Sequence, residues 1–195
     1  MSYMAAEKPK SYCEFVEHLE KDNVHRKYHD TQYGFPIDSD NELFGRLVLE
    51  INQAGLSWNT ILNKQENFRN AYSKFDIKQV ANYKEKDIQR LLSDSGIIRN
   101  KLKIGAAIFN AQQISKLQKE FGSFKNWLDA MHPKTLEHWV TLFKQTFKFT
   151  GGEITKEFLV STGYLKGAHV EGCQMYKKLV STKPMWIIGG KQTNH

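Results

Sequence analysis

Residues 50–58 read E-I-N-Q-A-G-L-S-W, which places a carboxylate, two amides, a glycine and a tryptophan close together. The preceding apolar residues recur at three- and four-residue spacing, which predicts an amphipathic helix over residues 41–54. Glu50 falls at the edge of the apolar face of this helix. Burying a carboxylate there is costly unless a hydrogen bond satisfies it. The segment therefore favours a pocket for a flat polar or cationic ligand. The structural alternative is a solvated Glu50 and a core Trp58.

Helical spacing recurs along most of the chain, whereas strand-like alternation is hard to find between residues 37 and 150. We therefore predict an all-α fold in one domain over residues 1–195, with a core at about 11–180. The two end segments, 1–40 and 151–195, look less regular, and we expect them to pack together. The other predicted helices cover residues 58–72, 77–83, 85–92, 100–121, 124–131 and 136–146.

The composition indicates a soluble globular protein, since 40% of the residues are hydrophobic and 25% are charged. No apolar run has the length of a membrane span, and the polar N-terminus does not resemble a secretion signal. We therefore expect a cytoplasmic protein with no membrane partner. The net charge of +7 favours a polyanion ligand such as nucleic acid. A basic protein that is merely soluble is the alternative.

Residues 85–105 predict two helices joined by a turn at Asp94-Ser95-Gly96. In a helix–hairpin–helix element, backbone N–H groups at the turn and at the start of the second helix face a DNA phosphate. Arg99, Lys101 and Lys103 lie where they could add positive charge. An ordinary pair of antiparallel helices is the alternative.

The chain has two cysteines, Cys13 and Cys173, and a disulfide between them is not expected in a cytosolic protein. His169 and Cys173 are four residues apart, so on a helical turn they share a face and offer half of a tetrahedral zinc site. Cys13 and His29 could supply the other half. Buried thiols and ordinary histidines are the alternative.

Four sequence blocks, in this order along the chain, resemble the 3-methyladenine DNA glycosylase I family. They span residues 13–173, which is most of the chain. The blocks are Tyr28–Pro36 (Y-H-D-T-Q-Y-G-F-P), Gln53–Trp58 after Glu50, Gly96–Arg99 (G-I-I-R) with Lys103-Ile104, and His169–Cys173 (H-V-E-G-C).

The resemblance implies a helix–hairpin–helix DNA glycosylase fold in which residues 85–105 anchor the DNA. It also implies one structural zinc ion per chain, held by Cys13, His29, His169 and Cys173, which ties the N-terminal segment to the C-terminal one. A closed site of two cysteines and two histidines has no open position, so such an ion stabilises the fold and does not activate water.

The resemblance further implies a pocket for a flipped base. Trp58 would stack on the base, while Glu50 and Tyr28 would form hydrogen bonds with its edge, and Glu50 is the catalytic candidate. Further contacts to the substrate or the DNA are expected from residues around this set. Those residues are Tyr33, Phe15 and Gln53 for the base, and Gly55 and Leu56 for the DNA, with Leu56 either a wedge in the duplex or a core leucine.

The function implied is removal of 3-methyladenine from alkylated double-stranded DNA by a monomeric enzyme. Two alternatives stay open. One is a catalytically inert protein of the same fold that binds damaged DNA. The other is a glycosylase for a different damaged base, because Tyr33 and Phe15 stand where the family has other aromatic residues.

Overall fold

The computed structural model describes residues 9–189, and within them the chain folds into twelve α-helices and one 3-10 turn, with no strand. The all-α prediction is confirmed for this part of the chain. The ends of the predicted domain, residues 1–8 and 190–195, lie outside the described residues. The helices are α1 Tyr12–Glu17, α2 Val24–Thr31, α3 Asp40–Gln53, α4 Trp58–Ala71, α5 Ile77–Ala81, α6 Glu85–Ser93, α7 Lys101–Phe121, α8 Phe124–Met131, α9 Leu136–Thr146, α10 Gly152–Ser161, α11 Gln174–Ser181 and α12 Met185–Gly189.

Helix α3 lies at the centre of the fold. Its N-terminus is capped by the Ser39 hydroxyl, which accepts from the backbone N–H of Glu42. From Leu43 to Asn52 every residue is buried, and the helix packs against α4, α5, α7, α8 and α10. Because this stretch is covered on all sides, its two ionisable residues, Arg46 at mid-helix and Glu50 near the C-terminal end, are buried as well.

A glycine turn separates α3 from α4. Gly55 has a φ of +81°, a conformation that side-chain-bearing residues rarely adopt, and the backbone N–H of Leu56 donates to the carbonyl of Gln53. The Ser57 hydroxyl then caps α4 by accepting from the N–H of Thr60. The turn therefore places the last residue of α3 and Trp58, the first residue of α4, at the same end of the helix pair.

The two end segments pack together, as the sequence predicted. The thiol of Cys13 in α1 lies 3.9 Å from the carbonyl of Ala168, and the N–H of Gly34 donates to the carbonyl of Ser161 at 2.9 Å. Helix α1 packs against α2, and α10 packs against α3. Side chains from α1, α2, α3, α4 and α10 consequently meet around one region.

None of the helices within residues 9–189 combines the length and the apolar character needed to cross a membrane. This holds even for α7, which has 21 residues.

The close packing of α3 generates a prediction about its glycine, Gly45, with an exposed helical glycine, Gly105, for comparison. A Cβ at Gly45 would lie 2.5 Å from the Phe75 ring, so Gly45→Ala should lower the free energy of unfolding by about 1–2 kcal/mol. Gly105 in α7 is exposed and a Cβ there meets nothing within 4 Å, so Gly105→Ala should stabilise by about 0.5–1 kcal/mol. Urea denaturation measures both changes. A Gly45→Ala variant as stable as the unmodified protein would contradict this packing.

Candidate functional site

A cavity of about 230 Å³ opens where helices α1, α2, α3, α4 and α10 meet. Its walls are aromatic and acidic, and its size suits one flat ring system. The lining residues are Tyr12, Tyr28, Tyr33, Glu50, Gln53, Trp58 and Glu157.

Glu50 is 4% exposed, and burial raises the pKa of its carboxyl to about 7. The positive charge of Arg46 opposes this rise, the negative charge of Glu157 adds to it, and a hydrogen bond from Ser161 opposes it. The Ser161 hydroxyl donates to Oε1 only at 3.4 Å, and it also lies 3.1 Å from the carbonyl of Phe158. A buried carboxylate with so weak an internal partner is suited to accept a hydrogen bond from a ligand.

Tyr28 is held by Arg46, which sequence reasoning did not single out. The Arg46 guanidinium donates to Tyr28 Oη at 2.9 Å, and its carbon lies 5.0 Å from the centre of the Tyr28 ring. Because Oη accepts from Arg46, the hydroxyl's own proton is left for another acceptor. Burial raises the pKa of Tyr28 well above its usual value, so the hydroxyl keeps that proton at neutral pH.

Aromatic rings form the remaining walls. Trp58 meets Tyr28 edge-on, with ring centres 5.3 Å apart, and Tyr33 lies 5.5 Å from Tyr28. Tyr12 meets Tyr33 edge-on at 5.4 Å. Electron-rich rings beside a carboxylate attract a flat cation more strongly than its neutral counterpart.

The structure therefore brings together five of the six residues predicted for catalysis and base binding. The sixth, Phe15, is 41% exposed and packs on Tyr12 and His25, outside the cavity lining. Two lining residues were not predicted. Tyr12 directly precedes Cys13, and that adjacency is the only sequence signal that pointed to it. For Glu157, on α10, we find no such signal.

The predicted DNA contacts at the glycine turn are exposed beside the cavity. Leu56 is 39% exposed, which places it outside the core. A Cβ at Gly55 would meet no atom within 4 Å. The turn follows Gln53 and precedes Trp58, both of which line the cavity.

A second cluster brings together the four predicted metal ligands. One ligand atom from each residue lies within 4.8 Å of all the others. His169 Nδ1 is 3.0 Å from His29 Nε2 and 3.7 Å from the sulfur atoms of both Cys13 and Cys173, and Cys173 Sγ is 3.6 Å from His29 Nε2. This group can hold a metal ion.

The outer nitrogens of both histidines are already bound. His29 Nδ1 lies 2.7 Å from Asp30 Oδ1, and His169 Nε2 lies 2.9 Å from the carbonyl of Tyr33. If each outer nitrogen carries the proton and donates it, the two inner nitrogens face each other with lone pairs. A cation between them removes that repulsion, so the donor set fits a metal.

The predicted hairpin has exposed basic groups and a braced loop. Ser95, Arg99 and Lys101 are exposed, and Lys64 of α4 donates to the carbonyls of Ser95 and Gly96 at 3.1 Å. The N–H of Gly96 donates to Asp94 Oδ1 at 2.7 Å.

At the start of α7, the Asn100 side chain accepts from the N–H groups of Leu102 and Lys103. Side chains of the loop thus already bind several of the N–H groups expected to face a phosphate.

Lys103 does not fit the predicted role of a DNA contact. Its side chain is buried, at 7% exposed, and its ammonium donates to the carbonyls of Asn52 and Ala54 at 3.0 and 2.8 Å. Lys103 therefore satisfies the free carbonyls at the C-terminal end of α3, where a positive charge is also favoured by the helix dipole. The sequence spacing could not reveal this contact, because it joins residues about fifty positions apart.

Comparison with known proteins places this arrangement in context. A family model described as methyladenine glycosylase matches residues 18–141. DNA-3-methyladenine glycosylase 1 of Escherichia coli (strain K12) is 34% identical over 177 residues, which cover 81% of this chain and 94% of that protein. DNA-3-methyladenine glycosylase of Haemophilus influenzae is 35% identical over 106 residues, covering 54% of this chain and 57% of that protein.

Solved structures agree. A crystal structure of 3-methyladenine DNA glycosylase I superposes with a TM-score of 0.72 at 31% identity, covering 81% of this chain and 97% of that one. The Staphylococcus aureus enzyme, in a structure described as the basis of 3-methyladenine recognition, also gives 0.72 at 31% identity, with 80% and 92% covered. Because the family model matches more than half of the chain and these relatives align along most of it, the chain belongs to the methyladenine glycosylase family.

Proposed function

We propose that this protein is a monofunctional DNA glycosylase that flips 3-methyladenine out of alkylated DNA and hydrolyses its bond to the sugar. The observation that carries the proposal is the cavity in which the buried carboxylate of Glu50 lies among the rings of Tyr28 and Trp58. Membership of a family whose named relatives are 3-methyladenine glycosylases supports the choice of base.

The chemistry follows from the charge of the damaged nucleoside. N3-methyladenine attached to deoxyribose is cationic, so its bond to the sugar is already weakened. Glu50 would accept a hydrogen bond from the base and attract its charge, Tyr28 would donate its free proton to a ring nitrogen, and Trp58 would stack on the ring. The pocket thus holds the departing base while water attacks a sugar with oxocarbenium character.

We propose that the metal held by the four-residue cluster is a structural zinc ion. Two thiolates and two imidazoles are a common zinc ligand set, and a tetrahedral site has edges of about 3.4 Å between nitrogens and about 3.6 Å between nitrogen and sulfur. The separations in the cluster, 3.0 Å and 3.6–3.7 Å, come close to those edges. When bound, the ion would join the N-terminal segment to the C-terminal one without taking part in the reaction.

We propose that α6, the loop after it and α7 form a helix–hairpin–helix element that anchors double-stranded DNA. Arg99 and Lys101 supply exposed positive charge, and the loop is braced by Lys64. Leu56 would fill the gap left by the flipped base, since it is exposed on the turn next to the cavity. The protein would act as a monomer.

The test of the proposed function is mass spectrometry of the bases that the wild-type protein releases from methylated duplex DNA. We expect 3-methyladenine above the level released without protein. Release of a different base would indicate another substrate. Binding to methylated DNA without release of any base would indicate an inert damage-binding protein, and either result would overturn the proposal.

The zinc site generates a prediction about composition and stability. Freshly purified protein should contain about one zinc per chain, and Cys173→Ser should lose the ion and lower the melting temperature. Ser181→Ala, a change at the opposite end of α11 from Cys173, serves as the control and should retain the metal. Elemental analysis makes the measurement, and unchelated protein without zinc would refute the assignment.

The hairpin generates a prediction that separates two neighbouring lysines. Lys101→Ala should weaken binding to every duplex sequence and reduce the salt slope by about one, with little effect on stability, because its side chain is exposed. Lys103→Ala should instead destabilise the fold by about 1–3 kcal/mol, because the buried carbonyl of Asn52 and the partly buried carbonyl of Ala54 lose their donor. Binding titrations at several salt concentrations and urea denaturation distinguish the two. Equal effects of both changes on DNA affinity at unchanged stability would contradict the structure.

The pocket generates the most specific prediction. Glu50→Gln keeps the size of the side chain but removes its charge, which should slow release of 3-methyladenine by roughly 10- to 150-fold. Trp58→Ala should lose a stacking contribution of about 1–3 kcal/mol. Glu137→Gln, at an exposed site in α9, is the matched control. Binding to undamaged duplex should be similar in all three, because that affinity comes from phosphate contacts outside the pocket.

Single-turnover base release at subsaturating protein makes this measurement. The wild-type rate should rise as the pH passes through about 7, where Glu50 loses its proton, and Glu50→Gln should lack that rise. Wild-type rates in both pocket variants, with folding verified by circular dichroism, would place the base elsewhere.

A further inference from the structure

A second carboxylate, Glu157, lines the cavity together with Glu50. It lies on α10 four residues before Ser161, so both side chains share one face of that helix. Ser161 donates to Glu50, and the Tyr33 hydroxyl donates to Glu157 Oε2 at 3.4 Å. Helix α10 therefore contributes both a hydrogen-bond donor for Glu50 and a negative charge of its own.

The charges around the cavity are unbalanced. Of the seven lining residues, the charged ones, Glu50 and Glu157, are both acidic. Arg46, outside the lining, lowers the pKa of Glu50 more than Glu157 raises it, but its single positive charge offsets only one of the two carboxylates when both are ionised. Two carboxylates that share a half-enclosed space repel each other, and burial raises the pKa of both. A cation placed between them relieves that repulsion.

We propose that Glu157 is a specificity-determining residue that, together with Glu50, selects a positively charged base over a neutral one. The substrate class is a cationic N-alkylated purine, whose charge meets one carboxylate on α3 and a second on α10. This inference rests on the proposed function, because it concerns which base the same cavity accepts. It assigns to α10 a part in recognition in addition to its packing against α3.

The alternative is that Glu157 acts only by orienting Tyr33. Two substitutions separate these roles. Glu157→Gln removes the charge but keeps an oxygen that can accept from the Tyr33 hydroxyl. Tyr33→Phe removes the hydroxyl but leaves the carboxylate and the ring in place. The matched control is Glu66→Gln, an exposed glutamate in the middle of α4, outside the cavity.

The experiment measures single-turnover release of 3-methyladenine from methylated duplex DNA, together with the melting temperature of each variant. Glu157→Gln should slow release by roughly 3- to 30-fold, less than Glu50→Gln because Glu157 is partly solvated. Its melting temperature should stay the same or rise, since a repulsion with Glu50 is removed. Glu66→Gln should match the wild type in both measurements.

Three outcomes would overturn the inference. The first is a release rate for Glu157→Gln equal to that of Glu66→Gln while the wild type is active, which leaves the proposed function intact. The second is a melting temperature that falls together with the rate, which indicates a structural role. The third is a loss in Tyr33→Phe as large as that in Glu157→Gln, which indicates orientation of Tyr33. A wild type that releases no 3-methyladenine would defeat the proposed function as well.

Discussion

The arrangement of the site depends on one costly feature, the burial of the Glu50 carboxylate within the central helix. Burial raises the pKa of Glu50 to about 7, so near neutral pH the free protein holds this group in both protonation states. A cationic base would favour the ionised form of Glu50, and the carboxyl proton would be released to solvent. Burial of the Glu50 carboxylate thus lowers the stability of the ligand-free protein, and a cationic ligand would offset this cost by pairing with the carboxylate.

The cluster of four predicted metal ligands and the pocket are built from neighbouring residues. Tyr12 precedes Cys13, Tyr28 precedes His29, and the carbonyl of Tyr33 lies 2.9 Å from His169 Nε2. Three aromatic walls of the cavity therefore lie next to three of the predicted metal ligands. A metal that does no chemistry would still determine how accurately the rings are positioned against Glu50 and Trp58.

The local elements could be predicted from the sequence, because their signals lie within a few residues. The spacing of apolar side chains located α8 and α9 at the residues where they begin and end, and the glycine turn before Trp58 ended α3 near its predicted end. The metal ligands came from the resemblance, and the structure brings them together. Without the resemblance, two pairs of candidate ligands so far apart in the chain would not have indicated a metal site.

What the sequence did not reveal depends on contacts between distant residues. Lys103 was interpreted as a surface charge, but it binds carbonyls at the end of α3. Arg46 was not singled out, and it holds Tyr28. Glu157 lies on an ordinary-looking helix, and only the packing of α10 on α3 turns it toward Glu50. The local sequence around a charged residue in a helix does not indicate whether its side chain is buried, so these three roles could be found only from the tertiary structure.

Titration of ¹⁵N-labelled protein with free 3-methyladenine tests whether the cavity beside Glu50 holds the methylated base. The indole N–H signals of Trp58, Trp127 and Trp139 report on the cavity and on the buried core separately. If the base binds in this cavity, we expect a saturable shift at Trp58 and little change at the two core tryptophans. Saturable binding of 3-methyladenine that leaves the Trp58 signal unmoved would contradict it.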